Sequence, residues 1–75
     1  MAENKYIPYM RAYELREKST EELKELEKKL REQLFKLRFK RSLGILDNKM
    51  AIRNTKKTLA RVLTILRERE LSGGK

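Results

Sequence analysis

The chain has 75 residues and a formal net charge of +9; charged side chains make up 41% of it and aromatic ones 7%. It contains neither cysteine nor histidine, which excludes disulfides, Cys/His zinc sites and catalysis by thiolate or imidazole groups. We therefore expect one small non-enzymatic domain, residues 1–75, without cofactor, metal or small-molecule substrate, whose charge suits a polyanionic partner. No apolar run approaches the roughly 20 residues that span a bilayer, so we expect a soluble protein with no membrane partner. The absence of cysteine fits a cytoplasmic chain.

The N-terminal segment, residues 1–18, begins as irregular chain because Pro8 disfavours a helical conformation for the residue before it. A short helix is expected around Arg11 to Arg16. The three tyrosines of this segment have two interpretations, stacking on nucleic-acid bases or packing with Leu15 on the rest of the fold, and we favour packing. They are Tyr6, Tyr9 and Tyr13.

Two stretches with apolar residues at helical spacing flank Gly44 and mirror one another about it. The facing positions are Leu37 with Ile52, Leu34 with Thr55, Leu30 with Leu59, Leu26 with Leu63, and Leu23 with Leu66. Helices that meet antiparallel across a short turn need such symmetry, since each layer of one faces a layer of the other at the same distance from the turn. The pattern predicts an all-α fold, a long antiparallel two-helix hairpin. Val62 and Ile65 lie beside this stripe, where the N-terminal segment can cover them.

The ends of both helices carry capping signals. Ser19 and Glu22 form a capping box that starts helix A. Gly44 can take the left-handed conformation that ends it, and Asp47 or Asn48 offers a side-chain oxygen to the free amides that open helix B. The expected ranges are residues 19–41 for helix A, 42–48 for the turn, 49–70 for helix B and 71–75 for a flexible tail.

The positive charge is concentrated in one part of the chain. Residues 1–32 contain eight basic and eight acidic side chains, and residues 68–75 contain two of each. Residues 33–67 contain ten Lys and Arg against Asp47 alone, so the excess lies on the end of helix A, the turn and most of helix B. A step of about 100° per residue places Arg53, Lys57 and Arg61 away from the leucine stripe, on an outward basic face.

Two short side chains, Ala60 and Thr64, lie within this basic face. They are either ordinary surface positions or the place where a phosphate backbone approaches the helix between longer cationic arms. Phe35 and Phe39 point away from the leucine stripe of helix A, so they need another cover: the N-terminal segment, a neighbouring protein, or RNA bases. We favour an intermolecular contact because Arg38 lies between them.

A basic hairpin with a small core and no catalytic groups is most simply an RNA-bound structural protein. The alternative is a homo-oligomeric coiled-coil interaction module without RNA binding, in which the leucine stripes pair between chains. A membrane-surface helix is disfavoured because acidic residues crowd helix A.

Several motifs resemble a known family. They are the run from Met10 to Ser19, Leu34-Phe-Lys-Leu-Arg-Phe39, Gly44-Ile-Leu46, and Ile52-Arg-Asn-Thr-Lys-Lys-Thr-Leu-Ala-Arg-Val62 followed by Thr64. Over about residues 10–70 the chain resembles the bacterial form of large-subunit ribosomal protein twenty-nine. The resemblance implies a helical hairpin bound to large-subunit rRNA at the rim of the polypeptide exit tunnel, beside a neighbouring ribosomal protein and near the docking place of nascent-chain factors.

The sequence departs from the family pattern at a few positions. Residues 1–9 extend beyond the usual start, Lys56 and Lys57 stand where an Arg pair is common, and Lys49 and Leu63 replace a frequent Pro and Lys. Charge, face and, for Arg38 and Arg61, family motif together select ten candidate rRNA contacts. They are Arg38, Lys40, Arg41, Lys49, Arg53, Lys56, Lys57, Arg61, Thr64 and Arg67.

Overall fold

Three helices form the fold in the computed structural model, which describes residues 7–72. They are α1 (Ala12–Arg16), α2 (Thr20–Ser42) and α3 (Met50–Leu71). Hydrogen bonds from Gln33 to Thr55 near the turn and from Arg69 to Thr20 at the opposite end show that α2 and α3 run antiparallel. The predicted all-α hairpin with a short N-terminal helix is thereby confirmed. Tyr6 and residues 73–75 of the expected tail lie outside the described residues.

The capping box predicted at the start of α2 is present. The Glu22 amide donates to Ser19 Oγ at 3.1 Å, and the Ser19 amide donates to the Glu22 carboxylate at 2.9 Å. These bonds satisfy two of the amides that a helix start leaves without partners.

The end of α2 is a Schellman motif centred on Gly44. The Ile45 amide donates to the Lys40 carbonyl and the Gly44 amide to the Arg41 carbonyl, each at 3.0 Å. Gly44 has a φ of +75°, the left-handed conformation expected for it. The helix includes Ser42, one residue beyond the predicted end, and the Ser42 hydroxyl donates to the Phe39 carbonyl within the last turn.

At the start of α3, Asn48 provides the expected cap. Its side-chain oxygen accepts from the Met50 amide at 3.0 Å. Lys49, predicted as the first helical residue, is the residue before the helix, and Leu71, predicted as tail, is its last residue. Shifts of one residue at helix ends are common because caps and the helix share the terminal hydrogen bonds.

The hydrophobic core runs along the inner sides of all three helices. Its main cluster consists of Leu15 from α1, Leu23 and Leu30 from α2, and Leu59, Val62 and Ile65 from α3, and the predicted pair Leu37 and Ile52 is buried nearer the turn. Val62 and Ile65 are therefore covered from the N-terminal side, as predicted. The predicted stripe is wrong at Leu63, which is 37% exposed, while Leu66 is only partly buried. A straight helix drifts about 20° per heptad from a 3.5-residue repeat, and Leu15 offers Val62 and Ile65 a partner on the opposite flank.

Buried polar side chains attach the segment before α1 to the hairpin. The Gln33 side-chain amide accepts from the Ile7 amide at 2.6 Å and donates to the Ile7 carbonyl at 3.0 Å. It also donates to the Thr55 hydroxyl, while the Met10 amide donates to the Thr58 hydroxyl. Because Gln33, Thr55 and Thr58 are all buried, these bonds define where this segment lies.

Arg69 connects the open end of the hairpin to α1. Its guanidinium donates to the Arg16 and Lys18 carbonyls and to the Thr20 hydroxyl, at 2.9 to 3.1 Å. These carbonyls lie at the end of α1 and just beyond it, where backbone carbonyls have few partners within the helix. The prediction that side chains of the N-terminal segment pack on the hairpin is confirmed for Leu15. It is wrong for Tyr13, which is 63% exposed and points away from the core.

Candidate nucleic-acid interface

The basic face of α3 points outward, as predicted. Its exposed members, here named the outward face of α3, are Arg53, Lys56, Lys57, Ala60, Thr64 and Arg67. Arg61 lies at the edge of this face and is half-buried. The opposite side of the helix provides the buried core residues, so apolar and cationic side chains lie mostly on opposite sides of α3, with the exposed Leu63 and the half-buried Arg61 as exceptions.

The cations of this face are not neutralised by the part of the protein that the structure describes. Within residues 7–72, no carboxylate lies in ion-pair range of Arg53, Lys57 or Arg67. The ion pairs in this range lie elsewhere, between Arg16 and Glu68 and between Arg31 and Glu27, each at 3.0 Å. A row of cations without acidic neighbours has a strong positive potential that attracts anionic ligands.

A shallow groove of about 360 Å³ lies where α1 meets the outward face of α3. We name it the α1–α3 groove; it is lined by Ala12, Arg16, Lys57, Ala60, Arg61, Thr64 and Ile65. Three of these side chains are cationic and none is acidic. The short side chains of Ala12, Ala60 and Thr64 leave the backbone accessible, so an anion can approach closely while the longer arms surround it.

A larger groove of about 1120 Å³ lies between α2 and α3 near the open end, but its chemistry is different. Glutamates from both helices alternate with lysines and arginines along its walls, and Leu63 and Leu66 contribute apolar surface. The five acidic and four basic side chains nearly cancel, so this groove offers no net attraction to a polyanion. Its residues are Thr20, Glu21, Lys24, Glu25, Glu27, Lys28, Leu63, Thr64, Leu66, Arg67, Glu68, Arg69, Glu70 and Leu71.

The ten predicted contacts do not form one site. Lys57, Arg61 and Thr64 come together in the α1–α3 groove, and Arg67 borders the groove between α2 and α3. Arg53 and Lys56 lie nearer the turn on the outward face. The remaining four are near the turn: Arg38, Lys40 and Arg41 in the last turns of α2, and Lys49 before α3. Lys40 and Arg41 also face the negative end of the α2 dipole, which gives them a structural role.

Phe35 and Phe39 project from α2 into solvent, 71% and 56% exposed. The expectation that they lie outside the hairpin core is confirmed. The described part of the N-terminal segment binds next to Gln33 and Thr58, so it does not cover these two rings.

Two residues of the candidate site were not predicted as such from the sequence: Arg16 was missed, and Tyr9 was expected only to pack on the rest of the fold. Arg16 belongs to a stretch with balanced charge, and only the packing of α1 on α3 brings it to Lys57 and Arg61. Its pair with Glu68 is about half exposed, and such pairs are worth about 0–1 kcal/mol, so a phosphate can compete for it. Tyr9 is 40% exposed, and the Arg61 guanidinium lies over its ring, 5.1 Å from the centroid.

Other kinds of site find no support in the part of the chain that the structure describes. No group of three acidic side chains there is close enough to hold a metal ion. None of the helices over residues 7–72 has the length and apolar character needed to cross a membrane.

Fold and site together define a small, basic, all-α protein, a helical hairpin with a cationic outer helix. The model of the Ribosomal L29 protein family matches residues 13–69. The large ribosomal subunit protein uL29 of Caldanaerobacter subterraneus subsp. tengcongensis is 55% identical over 62 residues, covering 83% of this chain and 94% of that protein. Those of Sulfurihydrogenibium sp. and Listeria welshimeri are 54% and 48% identical over 63 residues, covering 84% of this chain and 94% and 100% of the relatives. This chain therefore belongs to the Ribosomal L29 protein family.

Family membership confirms the predicted class of protein. The chain is a structural constituent of the large ribosomal subunit and not an enzyme. Its cytoplasmic, ribosomal location follows from the same family. The matched region begins at residue 13, so the segment that Gln33 and Thr58 hold against the hairpin precedes it.

Proposed function

We propose that this protein binds large-subunit rRNA through the outward face of α3 and the α1–α3 groove, mainly by contacts to phosphates. The single observation that carries this proposal is the row of cations on α3 without a carboxylate partner in the described residues. Contacts from several Lys and Arg side chains dominate the affinity of proteins for nucleic acids and weaken steeply with salt.

The geometry of the outward face suits a phosphate backbone. Arg53, Lys57 and Arg61 follow one another at four-residue intervals, so they are about 6 Å apart along the helix axis. Between their arms, Ala60 leaves space and Thr64 offers a hydroxyl. Such contacts fix the position of a protein on RNA and carry no base specificity by themselves.

The cations near the turn form a second part of the proposed interface. Arg38, Lys40, Arg41 and Lys49 belong to the same stretch of positive charge but do not line the α1–α3 groove. We propose that they contact a separate section of the rRNA. Within the outward face, Lys56 and Arg67 lie on the side away from α1.

The proposed location is the rim of the polypeptide exit tunnel, and it rests on the family resemblance of the sequence. There we expect a neighbouring ribosomal protein, with nascent-chain factors docking nearby. The exposed rings of Phe35 and Phe39 are the surface we assign to a contact with a neighbouring protein or with rRNA.

The coiled-coil alternative loses support because the leucines that would pair between chains are already buried within one chain. Leu23, Leu30 and Leu37 are at most 1% exposed within a single chain. Pairing between chains through this stripe would require the hairpin to open and lose its core.

The proposal is tested by replacing Arg53, Lys57 and Arg61 together with Ala. The matched control replaces Lys24, Lys28 and Lys29, which are exposed on the charge-balanced half of α2 and change the net charge equally. Affinity for protein-free large-subunit rRNA is measured from low to high salt, with helical circular dichroism as the check on folding. We expect the α3 variant to bind much more weakly and its log affinity to depend less on log salt, with a slope reduced by about 2 to 3. Equal losses in both variants would mean that net charge alone, and not this face, determines binding.

A further inference from the structure

The chain ahead of the family-matched region is fixed to the hairpin on both sides of Tyr9. Ile7 is held by two hydrogen bonds to the buried Gln33 side chain, at 2.6 and 3.0 Å. The Met10 amide donates to the fully buried Thr58 hydroxyl at 3.1 Å. Tyr9 lies between these two anchors, so the backbone that carries its ring has little freedom.

The Tyr9 ring lies under a cation of the candidate interface. The Arg61 guanidinium carbon is 5.1 Å from the ring centroid, within the range of about 6 Å for a cation–π contact. Arg61 is half-buried, whereas its neighbours Arg53 and Lys57 are exposed. It is also one of the three cations that line the α1–α3 groove.

A stacked guanidinium retains its capacity for phosphate. A cation–π contact leaves free the guanidinium N–H donors that point away from the ring, and these donors can bind a phosphate. A free Arg side chain must lose rotamer freedom when it binds, and a side chain already held by a ring loses less.

We propose that Tyr9 is a positioning residue for rRNA binding, holding the Arg61 guanidinium at the wall of the α1–α3 groove before the RNA arrives. This inference rests on the proposed function. It assigns the segment ahead of the matched region a part in the interface, through Tyr9, in addition to covering the core. Tyr9 acts on the RNA through Arg61 and makes no phosphate contact of its own.

The experiment compares Tyr9→Leu with Tyr9→Phe in the full chain, each alone and combined with Arg61→Ala. Affinity for protein-free large-subunit rRNA is measured over a range of salt concentrations. Tyr9→Phe keeps the ring, so we expect parental affinity. Tyr9→Leu removes the cation–π contact, and we expect affinity to fall about two- to fivefold at an unchanged salt slope. Arg61→Ala loses a phosphate contact, so its slope falls by about 0.7 to 0.9, and adding Tyr9→Leu to it has no further effect.

A second measurement follows the positioning without RNA. In NMR spectra of the free protein, the Arg61 side-chain protons should be shifted by the ring current of Tyr9, and this shift should persist in Tyr9→Phe and vanish in Tyr9→Leu. Parental rRNA affinity of Tyr9→Leu, or an equal loss when Arg61 is already Ala, would overturn the inference. If the triple α3 variant binds as the parent does, the proposed function itself fails, so the two failures are distinguishable.

Discussion

The two faces of α3 have opposite compositions and different tasks. The inner face packs Leu59, Val62 and Ile65 against α1 and α2, and its buried Thr58 hydroxyl binds the N-terminal segment. The outward face presents Arg53 and Lys57 with no acidic partner in the described residues. A change on the inner face should therefore alter the stability of the fold, and a change on the outward face should alter binding alone.

The largest effect is expected from Ile65→Ala on the inner face. Ile65 is 3% exposed and packs in the cluster that joins all three helices. Removing a buried aliphatic side chain of this size costs about 2–5 kcal/mol, a large part of the stability of so small a domain. Urea unfolding followed by circular dichroism measures the loss. As a control, Arg53→Ala should change the free energy of unfolding by less than about 0.5 kcal/mol; similar losses for both would show that the faces are not distinct.

A matched pair of threonines tests the comparison with the same chemical change. Thr58 is fully buried and accepts a hydrogen bond from the Met10 amide, whereas Thr64 is exposed in the α1–α3 groove. Thr58→Val keeps the shape and removes the acceptor, which should cost about 1–3 kcal/mol because the Met10 amide loses its partner. Thr64→Val should leave the urea midpoint almost unchanged. The comparison breaks down if Thr64→Val is the more destabilising of the two.

A smaller effect, on binding alone, is expected from Ala60→Leu. Ala60 lies on the outward face and lines the α1–α3 groove, and leucine is nearly as good a helix former as alanine. The added side chain should obstruct a phosphate and lower rRNA affinity about tenfold, or about 1.4 kcal/mol, without changing unfolding. Ala60→Ser, which adds little volume, is the control. Full affinity of the leucine variant would show that Ala60 is an ordinary surface position.

Most of the fold was predictable because it depends on local signals. The Ser19 capping box and the left-handed Gly44 each act within one turn, and the mirrored leucines follow from helical spacing on the two sides of that turn. The exposure of Leu63 was not predictable from the hairpin alone, since it depends on α1 occupying the flank of Val62 and Ile65. The contribution of a third element changes which side of a helix is buried.

The candidate site was predictable in its charge but not in its full membership. Arg53, Lys57 and Arg61 follow from helical periodicity, and the structure places them outward or at the edge of that face. Arg16 and Tyr9 reach Arg61 and the α1–α3 groove only because residues 7–16 fold back onto α3. Contacts between segments about 50 residues apart leave no periodic signal in the sequence.

Lysine reactivity in the ribosome shows whether the outward face of α3 is the surface that binds rRNA. Large subunits containing this protein and the free protein are acetylated under the same mild conditions, and each lysine is quantified by mass spectrometry. Five lysines are exposed in the free chain: Lys56 and Lys57 on α3, and Lys24, Lys28 and Lys29 on α2. The reactivity of each lysine in the free protein is the reference for its reactivity in the subunit. We expect strong protection of Lys57 within the subunit and much weaker protection of the three α2 lysines. Full reactivity of Lys57 in the subunit, with protection confined to α2, would contradict this expectation.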